Sequence, residues 1–347
     1  MVNGDAHESG PASRPLRRAA RTARAVARLV ELEQAQRAAA GSREPALWRR
    51  GFVSSRRALY PGIEDRRVRY LSDLDVEEKL RRVNTATGRT LLEDKLVFAE
   101  ALAARGLADR APEVYGTVLR GTFRPRAGGA LERLHEQERV VLKPVRGRGG
   151  RGVRLVRPQE LGQGAARGLG EDVLVQEVVA PDPAWSAINP ASLNTVRVMA
   201  LRPVGAPPVL AAAVHRFGTA ASGAVDNLTS GGVACRVDLA SGVLGPAVGM
   251  PSAGRRVEHD AHPDTGVVLR GRVVPGWAAV RDLVHELMAA FPEVDHAGWD
   301  VCVSTTGPLV VEGNGGTPNL NLVQMHGSFL DDPRVRGFYA AHGLRPA

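Results

Sequence analysis

Three side chains with oxygen donors lie close together near the end of the sequence, where Asp300 is followed by Glu312 and Asn314. Two apolar runs, 301–303 and 308–311, flank a polar turn that ends in glycine, a pattern typical of a β-hairpin. A hairpin would place Asp300 opposite Glu312, and the two-residue period of a strand puts Glu312 and Asn314 on one face. Carboxylate and amide oxygens are ligands of hard divalent cations. We therefore predict a Mg2+ (or Mn2+) site here. Because Mg2+ held in this way usually carries a nucleotide phosphate, we also predict a nucleotide site upstream.

A glycine-rich run at residues 147–152 is the second candidate site, and it contains only glycine and arginine. Lys143 stands in an apolar run just before it, and a second apolar run, 153–157, follows directly. The order strand, loop, strand predicts a flap over a ligand. Glycines let backbone N–H groups approach phosphate oxygens, and arginines make the flap electropositive. The residues concerned are Gly147, Gly149, Gly150, Gly152, Arg146, Arg148 and Arg151.

The glycine spacing alone would suggest a dinucleotide-binding loop, because it matches G-x-G-x-x-G. Such a loop passes from a strand into a helix, whereas an apolar, β-branched run follows here. No Gly-Lys-Ser/Thr closes the run, which excludes a P-loop. In protein kinases the lysine follows the flap, and this sequence has neither HRD nor DFG. A plain glycine hairpin stays open as the alternative.

The positive charge of the chain is concentrated at its N-terminus. The formal net charge is +9, and residues 1–60 contribute +7 of it, from twelve Arg and five acids. We expect a basic helical arm over 14–40 that ends at Gly41 and packs loosely on the main body. Contact of this arm with nucleic acid or an anionic membrane is the alternative, which its lack of aromatic residues disfavours.

Lysine is rare in this chain, which has 43 Arg and three Lys. A retained Lys therefore indicates a place that needs a compact ammonium group. The lysines are Lys79, Lys95 and Lys143.

Bulk properties predict a cytoplasmic protein without an integral membrane segment. No apolar stretch reaches the roughly 18 residues of a membrane span, and residues 1–15 lack the apolar centre of a signal peptide. The two cysteines, Cys235 and Cys302, lie in apolar runs and are expected to be buried free thiols.

Hydrophobic periodicity predicts helices over 72–84, 89–106 and 275–291, and a series of strands between the last two. A strand-bearing loop is expected over 241–272. The predicted strands are Val140–Pro144, Val153–Arg157, Val173–Val179, Thr195–Leu201, Val209–Phe217, Gly232–Leu239 and the 300–311 hairpin.

The order of these motifs resembles the ATP-grasp superfamily of ATP-dependent ligases. Lys95 lies at a helix, Lys143 precedes the flap, and VLVQEVV, SLNTVRV, DNLTSGG and the acidic hairpin follow. LEDKLVFAEAL, SLNTVRV and VDNLTSGGVACRVDLASG resemble more narrowly the ATP-grasp proteins associated with sugar-transfer genes. The resemblance covers roughly residues 85–325. It implies an α+β fold, the ATP-grasp fold, in which two α+β lobes clasp ATP.

The resemblance also implies roles for matching residues. Lys95 and Lys143 would reach the ATP phosphates and the adenine edge, and residues 175–178 would be the hinge that contacts adenine. Asp182 would contact the ribose. The implied nucleotide-binding residues are Lys95, Lys143, Gly147, Gly149, Gly150, Gly152, Gln176, Glu177, Val178 and Asp182.

Three further residues would act at the reacting phosphate. Arg197 resembles the strand arginine that faces the transferred phosphoryl group, and Arg216 and Asn227 match a second loop over the triphosphate. Asp300, Glu312 and Asn314 would hold Mg2+ between the phosphates. The alternatives are that the arginines are ordinary strand-end residues, and that Asp226 and Asn227 only form a turn.

The function predicted on this basis is an ATP- and Mg2+-dependent ligase that joins a carboxylate to an amine through an acyl phosphate. The partners would be small molecules, such as an amino acid, a peptide or a saccharide, and we do not expect nucleic acid. One alternative is a phosphotransferase that acts on a hydroxyl group. The other is a non-catalytic binding protein that uses its basic arm.

The predicted organisation has a basic arm over 1–55 and a mostly helical lobe over 56–130. A small lobe with the flap and hinge covers 131–200, and a large lobe with the metal hairpin covers 201–347. Polar residues after the metal asparagine either face the acceptor substrate or form a plain polar loop. They are Asn319, Asn321, Gln324 and His326.

Overall fold

The computed structural model describes residues 13–35, 43–147, 149–163, 172–251, 255–316 and 319–347. Its architecture is α+β, as predicted, with helices packed around two antiparallel sheets. No helix in these ranges is both long and apolar enough to cross a membrane. The helices are α1 (Ser13–Ala35), α2 (Pro45–Trp48), α3 (Arg56–Leu59), α4 (Asp73–Glu78), α5 (Ala86–Glu93), α6 (Lys95–Ala104), α7 (Ala130–His135), α8 (Pro183–Ser186), α9 (Trp277–Ala290), α10 (Leu320–Gln324) and α11 (Pro333–Ala341).

The basic arm contacts the body through a narrow part of α1. Leu29 and Glu33 are buried, and the Glu33 carboxylate accepts hydrogen bonds from Ser54 N (2.7 Å) and Trp48 Nε1 (3.2 Å). Val26, an apolar residue of the same helix, is instead 54% exposed. The predicted end of the arm at Gly41 lies outside the described residues.

The smaller sheet carries the flap and has the strand order β2-β1-β5-β3-β4. In the strand formed by residues 140–144, Val140 and Leu142 pack with Leu134 of α7 in one apolar cluster. The two-residue period of a strand therefore turns Lys143 to the opposite face. The strands are β1 (Val114–Leu119), β2 (Thr122–Pro125), β3 (Val140–Pro144), β4 (Arg154–Val156) and β5 (Val173–Gln176).

The larger sheet has the strand order β10-β9-β8-β7-β6-β11-β12 and is covered on both faces. Every residue of its first strand in sequence, Val196–Leu201, is buried, as expected for a strand between two layers. The strands are β6 (Val196–Leu201), β7 (Val209–Phe217), β8 (Val233–Val237), β9 (Leu244–Val248), β10 (Glu258–His259), β11 (His296–Ser304) and β12 (Gly307–Asn314).

Two separate cores lie on the two faces of this sheet. Val196 and Val198 of β6 belong to the core that α9 covers, whereas Met199 belongs to the core formed with the N-terminal and C-terminal helices. Arg197 has the same parity along β6 as Met199. The period-two rule therefore directs Arg197 away from the α9 core.

A β-bulge sets the register of the acidic hairpin. Val301 pairs with Val310, but the next residue, Asp300, pairs with Glu312, so that Val311 is the extra residue. Without this bulge the same turn would have placed Val311 opposite Asp300 and turned Glu312 toward the α9 core. The predicted pairing of Asp300 with Glu312 is confirmed, and the bulge is what produces it.

The predicted helix over 89–106 is divided in the structure, which corrects that expectation. α5 ends at Glu93, and Asp94 has extended backbone angles and accepts a hydrogen bond from Val97 N (3.2 Å) through its side chain. Asp94 is thus the N-cap of α6, and an N-cap aspartate is a recognised start signal for a helix. The break places Lys95 in the first turn of α6.

The two sheets are formed by successive parts of the chain, and the predicted lobe boundaries stay predictions. β1 and β2, within the segment 56–130, pair into the small sheet that carries the flap. β6, within the segment 131–200, lies in the large sheet between β7 and β11. The chain therefore passes from the small sheet to the large sheet between β5 and β6.

Candidate functional site

A cavity of about 370 Å³ lies under the glycine flap, and we call it the flap cavity. It brings together the candidate arginines, both candidate lysines and the three oxygen ligands. The predicted residues that line it are Lys95, Lys143, Gly147, Gly149, Gly150, Arg197, Arg216, Asn227, Asp300, Glu312 and Asn314.

The flap is held down by the loop between β7 and β8, residues 218–232. Gly149 and Gly150 have φ angles of +66° and +74°, which only glycine adopts readily. Asn227 Nδ2 donates to the Gly149 carbonyl oxygen (3.4 Å), and a Cβ built on Gly150 would lie 2.5 Å from Val225 Cγ1. The structure thus shows the flap and this loop in direct contact over the cavity. Arg148 lies outside the described residues.

The two lysines come from different elements, Lys95 from α6 and Lys143 from β3, and both line the flap cavity. Lys95 Nζ donates to the Gly147 carbonyl oxygen (2.6 Å) and is 3.5 Å from Glu312 Oε1. The pKa of Lys143 is lowered to about 8, mainly by burial. The negative charge of Glu312 opposes this lowering, and the positive charge of Lys95 adds to it. The cavity therefore holds one lysine already paired and another that is easily deprotonated.

A buried cluster of charges forms the floor of the cavity. Asp300 accepts hydrogen bonds from Arg197, through Nε to Oδ1 and through Nη2 to Oδ2 (2.8 Å). Arg216 Nη2 lies 3.2 Å from Asp300 Oδ2 and 3.4 Å from Asp226 Oδ1. Burial alone would raise the pKa of Asp300, but the two guanidinium groups outweigh it and hold that pKa below its usual value. Asp300 is therefore ionised within this cluster.

A second cavity, of about 480 Å³, adjoins the first, and we call it the hinge cavity. Lys95 and Val311 line both cavities. Gln176 and Leu174 of β5 also line the hinge cavity, and Gln176 Oε1 is buried without a hydrogen-bond partner among the described residues. An unpaired buried acceptor is costly, so this oxygen is suited to a ligand that donates a hydrogen bond.

Glu177, the next residue of the predicted hinge, is already engaged. Its N–H donates to the Glu113 carbonyl oxygen (2.9 Å), and its carboxylate accepts from Glu113 N (3.1 Å). Glu177 still lines the hinge cavity. The N–H group of Glu177 is therefore occupied within the protein.

Comparison with known families gives a match over residues 160–332, to the model described as sugar-transfer associated ATP-grasp. The chain is an ATP-grasp protein. The match begins after the flap, so that Lys95, Lys143 and the flap glycines lie outside it, whereas β6, β7 and the acidic hairpin lie inside it. No curated protein matches the sequence.

Solved structures give weak similarities. D-alanyl-alanine synthetase A from Vibrio cholerae is 13% identical, with 74% of this chain and 68% of that chain covered and a TM-score of 0.42. D-cycloserine synthetase DcsG is 18% identical, with 75% and 73% covered and a TM-score of 0.41. N5-carboxyaminoimidazole synthase from Aspergillus clavatus, in complex with ADP, is 9% identical, with 67% and 46% covered and a TM-score of 0.39. TM-scores this low say nothing about the substrate of this ATP-grasp protein.

The oxygen ligands expected in an ATP-grasp protein fit a hard divalent cation in kind. Glu312 and Asn314 lie on one face of β12 and line the flap cavity. Asp300 gives part of its carboxylate to the two arginines, and the hydrogen bond that the described residues give Oδ1 comes from Arg197. In the described ranges no three His, Cys, Asp or Glu side chains gather to hold a metal, so the set depends on Asn314 as its third member.

Some predicted residues of the ATP-grasp site lie apart from both cavities. The Asp182 carboxylate accepts a hydrogen bond from Ala184 N (2.9 Å) and caps α8, and Val178 is 40% exposed. Gly152, with a φ of +75°, forms the end of the flap turn. The cavities are lined by other residues than these three. Their predicted contacts with nucleotide stay predictions.

Sequence reasoning missed Thr195 and gave Asp226 only the role of a turn residue. Both line the flap cavity and contact Arg216. The signal for Asp226 was its place beside Asn227 in DNLTSGG. Of the polar residues proposed near the acceptor, Asn319 lines the cavity, whereas Gln324 is buried against Leu71.

His215 is a structural residue of β7. Its ring stacks on Phe217, with centroids 4.3 Å apart and an interplanar angle of 5°, and burial lowers its pKa to about 3. A neutral imidazole is what an apolar aromatic environment selects. The structure brings no nucleophile to it among the partners described.

Proposed function

We propose that this protein is an ATP- and Mg2+-dependent ligase that joins a carboxylate to an amine through an acyl phosphate. The observation that carries the proposal is the flap cavity, where two lysines, three arginines and three oxygen ligands line a single space beneath a glycine flap. Cations and hydrogen-bond donors gathered around one point suit a triphosphate, whose charge must be neutralised before a nucleophile can approach.

The nucleotide would lie across both cavities. Adenine would occupy the hinge cavity, where the unpaired Oε1 of Gln176 can accept a hydrogen bond from the 6-amino group. The triphosphate would pass Lys95, which lines both cavities, and would reach Lys143 and the flap N–H groups. The Lys95 ammonium would then exchange its contact with Glu312 for one with phosphate.

The proposed reaction has two steps. A carboxylate oxygen of the first substrate attacks the γ-phosphorus, the bond from this phosphorus to the β–γ bridging oxygen breaks, and ADP leaves. The amine of the second substrate then attacks the acyl carbon, the carbon–oxygen bond to phosphate breaks, and phosphate leaves as the amine loses a proton. Arg197 and Arg216, on the cavity floor, would stabilise the negative charge on the transferred group.

Asp300, Glu312 and Asn314 would hold the cation, which would supply charge neutralisation between the β- and γ-phosphates. The residues of the chain do the remaining work by positioning. The two substrates would be small molecules, with an amino acid, a peptide or a saccharide as the classes to test. Buried free thiols at Cys235 and Cys302 agree with a reducing compartment, and we propose a cytoplasmic location.

The test is hydroxylamine trapping. The protein is incubated with ATP, Mg2+, hydroxylamine and a panel of acids, and hydroxamate and ADP are measured. The correct acid should give both in equal amounts. Transfer of phosphate to a stable hydroxyl product would instead show a phosphotransferase and overturn the ligase assignment.

The three lysines supply a matched control. Lys95→Met and Lys143→Met should reduce hydroxamate formation at least tenfold, because each removes a charge beside the triphosphate. Lys79→Met should leave it unchanged, since Lys79 pairs with Asp75 (2.5 Å) and Gly343 (2.7 Å) and lines neither cavity. Loss of activity in all three variants would point to unfolding, which thermal melting would reveal.

A further inference from the structure

We propose that Asp226 is a positioning residue that fixes the orientation of Arg216 toward the γ-phosphate, and thereby links this arginine to closure of the flap. The inference rests on the proposed function and extends it to a residue that the sequence suggested only as part of a turn. Its basis is the set of contacts that Asp226, Thr195 and Arg216 make with one another.

These three residues form a closed triangle, in which Thr195 is hydrogen-bonded to both neighbours and Arg216 forms an ion pair with Asp226. Asp226 Oδ2 accepts from Thr195 N (2.7 Å) and from Thr195 Oγ1 (2.6 Å). The same Thr195 hydroxyl accepts from Arg216 Nη2, and this Nη2 lies 3.4 Å from Asp226 Oδ1. A hydroxyl donates once and accepts as well, so Thr195 can serve both neighbours together.

The triangle holds Arg216 by one nitrogen only. Its contacts to Thr195, Asp226 and Asp300 all involve Nη2, whereas Nε is buried without a hydrogen-bond partner among the described residues. Because a guanidinium is planar and rigid, anchoring one nitrogen fixes the direction of the remaining donors. Arg216 lines the flap cavity, so we infer that these donors are held ready for an anion there.

Asp226 also stands between the two residues that touch the flap. Val225 limits the space beside Gly150, and Asn227 donates to the Gly149 carbonyl oxygen (3.4 Å). Any displacement of the flap that moves these neighbours therefore acts on Asp226 directly. The position of the flap and the orientation of Arg216 are therefore both linked to Asp226.

The experiment measures the affinity of ADP and of the β,γ-imido analogue of ATP, each with Mg2+, by calorimetry. The imido analogue carries a γ-phosphate and ADP does not, so the ratio of the two affinities reports contacts at the γ-phosphate. Asp226→Asn should lower the ratio of imido-analogue affinity to ADP affinity about tenfold, which is the loss expected for one charge-assisted hydrogen bond. The affinity for ADP itself should change less than about twofold.

Asp264→Asn is the matched control. Asp264 Oδ2 accepts from Ala220 N (2.7 Å) in the same loop, but its partner lies six positions away from Asp226 and it does not contact Arg216. This variant loosens the loop and should leave the affinity ratio unchanged. An equal fall in the ratio for Asp264→Asn would show that only loop anchoring matters and would overturn the proposal.

A double-mutant cycle completes the test. If Asp226 acts through Arg216, then Asp226→Asn has no further effect on the ratio once Arg216→Gln is present. An undiminished effect in that background would contradict the proposal. Should Asp226→Asn fail to fold, Thr195→Val removes the bridging hydroxyl at nearly constant volume and should give the same fall in the ratio.

The outcomes separate this proposal from the proposed function. A wild-type protein that binds neither nucleotide overturns both. A wild-type protein that prefers the imido analogue, together with an Asp226→Asn variant that keeps the full preference, overturns the role of Asp226 alone.

Discussion

At the scale of single residues, Lys143 should make nucleotide binding depend on pH. Its pKa is lowered from 10.5 to about 8, mainly by burial, so the ammonium is charged below pH 8 and largely neutral above it in the free protein. A triphosphate favours the charged form and raises this pKa. ATP affinity should therefore be flat below pH 8 and fall by up to about tenfold per pH unit above it.

Calorimetry at pH 8.5 to 9 in buffers of different ionisation enthalpy would measure the uptake of up to one proton per ATP. Lys143→Arg is the matched variant, since a guanidinium stays charged over this range. It should abolish the proton uptake even if affinity falls. Unchanged uptake in Lys143→Arg would mean that another group titrates.

Asp300 and Glu312 were predicted to share one role, but their surroundings predict different consequences of substitution. Asp300→Asn should lower stability by roughly 3–5 kcal/mol, because it removes the buried carboxylate that Arg197 and Arg216 both contact. Glu312→Gln should keep the melting temperature near that of wild type, since Glu312 is partly exposed and Lys95, its partner at 3.5 Å, keeps its hydrogen bond to Gly147. Melting curves of the two variants would measure this difference. An Asp300→Asn variant as stable as wild type would show that Asp300 does not stabilise the two arginines.

For Glu312→Gln the effect should lie in the cation. Mn2+ affinity in the presence of ADP should fall at least tenfold, because a neutral amide is a weaker ligand than a carboxylate. Residue types and their order predicted that Asp300, Glu312 and Asn314 lie together, and all three line the flap cavity, while their binding of a metal stays a prediction. They could not give the pairing of Asp300 with arginine, because Arg197 is more than a hundred positions away and sheet pairing alone joins them.

At the scale of elements, the flap should be sensitive to a single methyl group. Gly150→Ala places a Cβ 2.5 Å from Val225 Cγ1 and forces alanine to a φ of +74°. The flap should be lifted from the loop, and affinity for the imido analogue of ATP should fall at least tenfold. Fluorescence or calorimetric titration would measure this.

Gly121→Ala separates strain from collision. Gly121 has a φ of +79°, and nothing lies within 4 Å of its added Cβ, so this variant carries only the backbone cost of roughly 1–2 kcal/mol. It should lower stability and leave nucleotide affinity unchanged. Combining Gly150→Ala with Val225→Ala should restore binding; failure to do so would show that contact with Val225 is not the cause.

The same scale shows what periodicity can and cannot predict. The boundaries of β3 and β7 were predicted correctly, because each contains an apolar run and glycine or proline follows or precedes it closely. The bulge at Val311 has no signature, since either face of the hairpin could accept valine. β2 and the C-terminal helix α11 were missed, because one is largely exposed and the other begins at a Pro333 that sequence alone assigns to a loop.

At the scale of the whole molecule, the N-terminal residues contribute to two different parts. α1 contacts the body through Leu29 and Glu33, whereas residues 44–55 enter the core on the Arg197 face of the large sheet. In that second segment Leu47, Phe52 and Val53 are all buried. The first 60 residues share a high positive charge, but they divide near residue 43 into an arm with few buried residues and a segment that belongs to the core.

Two truncations should reveal this division. Removing residues 1–22 leaves Leu29 and Glu33 in place and should change the melting temperature little. Removing residues 1–55 also exposes the surfaces that Leu47, Phe52 and Val53 cover, at about 1.5–3 kcal/mol for each large apolar side chain. That sum approaches the 5–15 kcal/mol that stabilises a typical domain, so the shorter protein should be unfolded or aggregated at 37 °C. Circular dichroism melting of both truncated proteins would measure these effects. A cooperatively folded 56–347 fragment would show that residues 1–55 are not needed for the core to fold.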